Sequence, residues 1–380
     1  MKKVSMISVI VLIAMAGCGG KKQTGNKDFI TVDVSKSYSL KKELILQDFM
    51  DVEYIALETD EGFINPCFVQ DISKNFLLVN NPDDDGDIFV FDRTGRAIRK
   101  INHQGRGNEE YSNIVGITLD EENSEMYVNN HLARKILVYD LFGNFKRCLK
   151  QEEGEGTFYT DIINYDSDHL IGFAKTNKKG EFVIISKQDG SITQRIKFPF
   201  SEKNFDGIDD ENPGFFRQIV AYNGNWLLSE YSSDTVYTFM PDDMLRPFIV
   251  RTPSIQSMNP EIFLILRFFS NRYYFMETFY NDYDYDSEKT GFPTTHLLYD
   301  KQAKTFCEYN VYHGDFSIKK EIDWSSLRYV NHEIVSWQPL EAVRLVEYYK
   351  KGELKGKLKE IAATLSEESN PVIMLIKHQK

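Results

Sequence analysis

Two stretches of this chain repeat each other about 48 residues apart, and that repeat limits the fold more than any other feature. Phe76-Leu77-Leu78-Val79-Asn80-Asn81 corresponds to Glu125-Met126-Tyr127-Val128-Asn129-Asn130 at an offset of 49. Ile88-Phe89-Val90-Phe91-Asp92-Arg93-Thr94-Gly95 corresponds to Ile136-Leu137-Val138-Tyr139-Asp140-Leu141-Phe142-Gly143 at an offset of 48. Each unit reads as strand, turn, strand, then an Asp-x-x-Gly turn into a third strand, Ile98–Ile101 in one copy and Phe145–Leu149 in the other. The aspartate can bond the backbone of its own turn and the glycine can supply positive φ. Fainter copies follow at His169–Ala174 with Phe182–Ser186, Trp226–Ser229 with Thr235–Phe239, and Arg272–Thr278 with His296–Tyr299. The first of these keeps its glycine, Gly190, while the other two have lost it.

A period near 48 with three or four strands per unit predicts a β-propeller, because one small sheet cannot bury both faces alone and radial packing gives it two neighbours. The 21 Tyr and 27 Phe point the same way, since both residue types suit pleated, half-buried surfaces. Strands are also expected at Phe29–Val34 and Val52–Leu57, and a closing strand at Pro371–Ile376. Five visible units plus one blade built from the two chain ends make a six-bladed, all-β propeller, with five or seven blades as the alternatives. Residues 339–365 break the pattern: Leu340, Val343, Leu345, Val346, Tyr349, Leu354, Leu358, Ile361 and Leu365 recur near helical spacing, which predicts one or two helices over the last blade. The acidic run Asn281 to Asp286 reads as an exposed loop.

The first 28 residues stand outside this fold. Lys2 and Lys3 precede an apolar run from Val4 to Ala16 that is too short to span a membrane, so residues 1–17 read as a signal peptide. The ending Met15-Ala16-Gly17-Cys18 resembles the bacterial lipobox, whose cysteine receives a diacylglycerol thioether before the peptide on its N-terminal side is cut. That resemblance makes Cys18 the lipidation site; residues 18–28 then form a flexible tether and residues 29–380 the propeller domain. Removing residues 1–17 takes two lysines and no acid from a net charge of −12, leaving −14, which argues against a nucleic-acid partner. Of the remaining cysteines, Cys67, Cys148 and Cys307 lie too far apart in sequence for a local zinc site and read as buried apolar residues.

The lipobox, the Ile-x-Val-Tyr/Phe-Asp-x-x-Gly repeats, the segment Gly105-Arg106-Gly107-Asn108-Glu109-Glu110-Tyr111 and the ending Asn370-Pro371-Val372-Ile373-Met374-Leu375-Ile376 together resemble a family of bacterial six-bladed propeller lipoproteins. These NHL-like proteins are common in bacteria that degrade glycans. The resemblance covers most of residues 30–380 and implies a fold and an envelope location; it brings no established reaction or ligand. The family often has proline where Asn108 stands.

Several motifs invite a chemical reading. Gly105-x-Gly107 is not followed by a helix but by a strand pattern, Ile114–Leu119, so it is read as a connection between blades rather than a phosphate cradle. Arg106, Glu110 and Tyr111 of that connection, together with His131, are the candidate ligand-binding residues at the channel mouth. Asn81-x-Asp83-x-Asp85-Gly86, continued to Asp92, matches much of a calcium-loop pattern, with Asp92 where glutamate is usual. Calcium is therefore the one candidate cofactor, set against a solvated hairpin tip. The seven histidines show no i, i+4 pair, and no Gly-x-Ser-x-Gly elbow occurs. The expected function is that of an envelope-anchored, monomeric propeller binding a glycan, peptide or partner protein, tethered to the outer membrane on its periplasmic side. The alternatives are a hydrolase or lyase with an axial site, and a structural subunit of an envelope complex.

Overall fold

The architecture follows from how each strand is buried. Strands read as continuous apolar runs where both faces are covered, as in Ile88-Phe89-Val90-Phe91, which is buried throughout. They alternate where one face meets water, as in Lys41–Ile45. The computed structural model describes residues 29–379 apart from 61, 64–67, 82–84, 132, 152–157, 176–179, 200–217, 231, 282–292, 323–329 and 332. Residues 1–28, where the signal, Cys18 and the tether are expected, together with Cys67, Asp83 and the acidic run at 282–286, therefore lie outside the described residues.

Three strands precede the first complete blade: β1 (Ile30–Asp33), β2 (Lys41–Ile45) and β3 (Asp51–Ala56). Blade 1 is β4 (Phe68–Ile72), β5 (Phe76–Asn80), β6 (Asp87–Asp92) and β7 (Ala97–Asn102). Blade 2 is β8 (Ile114–Asp120), β9 (Glu125–Asn130), β10 (Lys135–Asp140) and β11 (Phe145–Lys150). Blade 3 is β12 (Phe158–Asn164), β13 (His169–Lys175), β14 (Gly180–Ser186) and β15 (Ile192–Ile196). Blade 4 is β16 (Ile219–Tyr222), β17 (Asn225–Leu228), β18 (Thr235–Phe239) and β19 (Leu245–Thr252). Blade 5 is β20 (Ile262–Phe269), β21 (Tyr273–Tyr280), β22 (Thr294–Asp300) and β23 (Thr305–Tyr312). Blade 6 is composite: β24 (Ile334–Leu340) pairs with β25 (Val372–Lys377), which pairs with β3 from the start of the chain. The six sheets make the six-bladed propeller, and β24 lies between β20 and β4 where the ring closes.

The start of the chain does more than close the ring. Before β3 reaches blade 6, β1 adds in parallel to β19 and β2 adds in parallel to β23, so blades 4 and 5 become five-stranded. Residues 30–56 thus strap three successive blades and cover two outer edges that would otherwise stand open. The helices α1 (Ala342–Lys350) and α2 (Gly356–Ala362) lie between β24 and β25, as expected over the last blade. Leu345, Leu358 and Ala362 pack with Phe316, Leu354 and Val372 against Tyr54, Ala56 and Leu340 of blade 6.

The recurring turn glycine does two jobs. In blade 1 the Asp92 carboxylate accepts from the Thr94 and Arg96 amides, and Gly95 donates its N–H to the Asp92 carbonyl with φ at 89°. A Cβ on Gly95 would also lie 2.0 Å from the carbonyl oxygen of Ala56 in blade 6. Gly143 likewise packs on Ile101 of blade 1, and Gly190 on Leu149 of blade 2. Each turn is therefore seated on the outer strand of the preceding blade, and the repeat encodes ring assembly as well as a local turn. Where the glycine is lost, Asp243 and Lys304 take up the positive φ, at 63° and 53°. Cys307 is buried and Cys148 half-buried, and both are free thiols.

Candidate functional site

In an antiparallel blade, alternate connections emerge at the same end. The start of each inner strand therefore shares an end with the connection between second and third strands. Asn81 and Asp85 (blade 1), His131 (blade 2), and the loop from His103 to Tyr111 that leads into β8 all belong to this end.

That loop is a self-contained structure. Gly105 N–H donates to the Tyr111 carbonyl at 2.9 Å, and Tyr111 N–H donates back to the His103 carbonyl at 3.1 Å. Glu110 turns inward and accepts from the Gly107 amide at 2.8 Å, and a Cβ on Gly105 would sit 2.0 Å from its Oε2. The Tyr111 hydroxyl is buried, donating to the Gly86 carbonyl at 2.7 Å and accepting from the His103 amide at 2.9 Å. Burial pushes its pKa up to about 12. Of the three candidates from this loop, Glu110 and Tyr111 are engaged in holding it together, and Arg106 remains exposed. Two glycines let the loop fold onto the Glu110 carboxylate, which stays exposed beside Arg106, while Tyr111 is buried.

The calcium pattern also dissolves in three dimensions. Asn81 Nδ2 donates to Asp85 at 2.6 Å, and Asp85 accepts from the Asp87 amide at 2.9 Å, which is the bonding of a hairpin tip. Asp92 ends β6, five residue steps from Asp87, or roughly 17 Å along an extended strand. Its carboxylate caps the turn at the opposite end, bonding Thr94 and Arg96. Asp92 therefore cannot join Asn81 and Asp85 around one ion, and Asp83 lies outside the described residues. Among the described residues no group of three or more His, Cys, Asp or Glu gathers as a metal site.

His131 is better placed. Its ring meets the edge of Phe158, the first residue of β12, at 4.3 Å between centroids. Phe158 and Phe68 open the inner strands of blades 3 and 1, and both are half-buried; Phe68 meets Trp337 of blade 6 edge-on at 5.9 Å. Between them, the register of β8 against β9 slips between Ile114 and Gly116, which leaves Val115 bulged and 40% exposed. An apolar, partly aromatic rim thus runs over blades 1, 2 and 3, with the buried Trp337 of blade 6 behind Phe68.

Amides lie beneath this rim. Asn80, Asn129 and Asn130 end the second strands, not the inner ones, and they stitch neighbouring strands together. Gln70 Nε2 donates to Asn80 at 2.8 Å, and its oxygen accepts from the Ile117 amide of blade 2 at 3.0 Å. Asn129 Nδ2 donates to the Tyr159 carbonyl of blade 3 at 2.8 Å.

A charged row that the sequence reading did not single out lies on the face of blade 5 turned toward blade 6. Arg267, bulged from β20, bonds Glu277 of β21; Glu277 Oε1 lies 3.9 Å from His296 Nε2 on β22; and the His296 ring stacks on Tyr309 of β23 at 5.5 Å. Arg267 and Glu277 are nearly buried, and His296 is 30% exposed. Burial lowers the His296 pKa, against an opposing pull from Glu277. One signal was available: Arg267 and Glu277 are ten residues apart, as are Gln70 and Asn80.

A family model described as a domain of unknown function, DUF4934, matches residues 29–377. A solved structure of a Bacteroides fragilis protein, whose name assigns it provisionally to export, is similar over 90% of this chain and 99% of its own. The two share 14% identity with a TM-score of 0.58. A member of the DUF4221 family from Bacteroides vulgatus is similar over 87% of this chain and 99% of its own, at 10% identity and a TM-score of 0.50. At such identities the likeness is one of fold. No curated protein matches the sequence.

Proposed function

This chain belongs to the DUF4934 family, a domain of unknown function, and from that starting point we propose that it is an envelope-anchored propeller that binds a ligand at the rimmed end of its ring. The ligand classes in view are a glycan, a peptide or a partner protein. The observation that carries the reading is the rim itself: half-buried Phe68 and Phe158, exposed Val115, His131 set against Phe158, and a layer of amides below. Aromatic faces and convergent amide groups are what a concave recognition site needs. Binding is favoured over a hydrolase or lyase because the inner-strand carboxylates Asp71 and Asp120 of blades 1 and 2 are engaged within the protein. Asp71 accepts from the Leu119 amide at 2.7 Å, and Asp120 pairs with Lys187 at 2.6 Å.

The test is thermal unfolding of the protein with panels of oligosaccharides and peptides. A ligand at 100 times its Kd adds about 2.7 kcal/mol of stability, and Phe158→Ala should abolish the shift. A shift that survives Phe158→Ala would place binding elsewhere.

Anchoring rests on Cys18 and its lipobox-like surroundings, and the similarity to a protein named for export supports an envelope location. Expressed with its leader, the protein should partition with membranes and incorporate labelled palmitate. Cys18→Ser should lose the label and release the chain from the membrane fraction; unchanged partitioning and labelling would refute lipidation at this residue.

A further inference from the structure

The propeller repeat supplies its own internal control. Counting from the strand pair that carries each Asp-type turn (Phe76 with Asp92, Glu125 with Asp140, His169 with Ser186, Tyr273 with Asp300), the fifth residue of the second strand is Asn80, Asn129, Phe173 or Glu277. Blades 1 and 5 add a bulged inner-strand residue that reaches this position, Gln70 to Asn80 and Arg267 to Glu277. The geometry is the same and the chemistry is not. In blade 1 a neutral amide pair makes the bond. In blade 5 a nearly buried ion pair makes it, and taking two charges out of water costs several kcal/mol per ion before their attraction offsets it. A neutral pair would stitch the strands as well, so the charged pair calls for a different use.

The third member of the row shows which use. Glu277 Oε1 and His296 Nε2 are 3.9 Å apart, too far for a hydrogen bond between them. One oxygen atom set beside the pair can bond to both, donating its proton to the carboxylate and accepting from the imidazole N–H. A hydroxyl does this; an amide N–H or a carboxylate can do only half of it. Arg267 holds Glu277 from one side, and the stacked Tyr309 ring holds His296 from the other, so the two groups are kept in place before a ligand arrives. The 30% exposure of His296 leaves an approach. We propose that Arg267, Glu277 and His296 form a hydroxyl-recognition subsite, which makes the ligand of this propeller a neutral glycan. This rests on the binding reading given above and narrows it to one ligand class.

The experiment compares the wild-type protein with Arg267→Gln/Glu277→Asn, which transplants the blade 1 pair into blade 5, and with His296→Phe. Probes are cellohexaose, xylohexaose, mannohexaose and maltohexaose, read by calorimetry and thermal unfolding, with a peptide panel alongside. The expected result is binding of at least one oligosaccharide by the wild type, weakened at least about tenfold in both variants, a loss of about 1.4 kcal/mol. The unliganded melting temperature of the double variant should not fall. Wild-type binding retained in either variant would overturn the proposal, as would a lower melting temperature of the double variant, which would make the ion pair structural. A protein that binds none of the four oligosaccharides but binds a peptide lost on Phe158→Ala would overturn this inference and leave the binding reading standing. Loss of both would remove both.

Discussion

Replacing Lys187 with methionine should lower stability by about 3–5 kcal/mol, the cost of leaving one member of a buried ion pair behind. Lys187 follows β14 in blade 3, and its Nζ lies 2.6 Å from Asp120 Oδ2 at the end of β8 in blade 2, with both side chains only 6% exposed. The ammonium also donates to the Asp166 carbonyl at 2.6 Å, so it ties the inner and third strands of adjacent blades at one point. Beside it, Arg147 donates to the Lys187 carbonyl through Nε and Nη2 while holding Glu125 with two bonds of 2.7 Å. Those contacts, together with Lys146 and Tyr127, carry the Glu125 pKa down to about 2 against the opposing effect of burial. Without Lys187, Asp120 keeps only the Asn123 amide and side chain as donors. Adding Asp120→Asn to Lys187→Met removes the stranded charge and should recover most of the loss. Chemical unfolding of the three proteins checks this. A single variant within about 1 kcal/mol of wild type would mean that the pair is neither dry nor important to the blade 2–3 seam.

How much of this was legible in the sequence differs from element to element. The blades were legible because strands buried on both faces read as dense apolar runs and their turns carry Asp and Gly. The closing blade was legible because its strands stand at both chain ends. Strand β1 was expected at Phe29–Val34 but its parallel pairing was not, and β2 was not expected at all: strands of four or five residues carry no repeat, and nothing local says which edge they will cover. The calcium-like pattern stood beside a hairpin-tip reading, and strand register separates the two. A linear motif assumes a loop, and Ile88–Asp92 is a strand that carries Asp92 to the opposite end of the blade. The loop contacts of Glu110 and Tyr111 were not legible either, since glycines that permit a tight path also permit a carboxylate to fold back on it. The blade 5 row escaped because its members are spread over three strands, and only alignment by strand register brings Glu277 level with Asn80.

The strap and the helices meet at one place, and a buried histidine stands there. The turn after β23 accepts the N-terminal strap through Gln47, which bonds Gly314 at 2.7 Å and Asp315 at 2.8 Å, and through the Tyr54 hydroxyl, which donates to Asp315 at 2.7 Å. The same turn bridges to the helical segment from Phe316 to Leu354. His313 sits at its start, 4% exposed, with its ring 5.4 Å from Phe316.

Through His313 alone the protein should lose about 3 kcal/mol of stability as the pH falls from 6.5 to 4. Burial first, and Lys320 second, lower the pKa of this imidazole from 6.5 to about 4. The unfolded chain then binds a proton that the folded chain refuses. The contribution is therefore complete above pH 6.5, erodes steadily below it, and is exhausted near pH 4. His296 and His378 are shifted in the same direction by burial and add to the slope. Glu125, lowered from 4.5 to about 2, costs stability only as the pH falls below about 4.5, so its window begins where that of His313 ends. Unfolding free energies at several pH values between 7 and 4 for wild type and His313→Phe provide the check. Phenylalanine keeps the ring against Phe316 and removes the titration, so the variant should lose markedly less stability across this range. Equal pH dependence in the two proteins would show that His313 is not the buried neutral group described here.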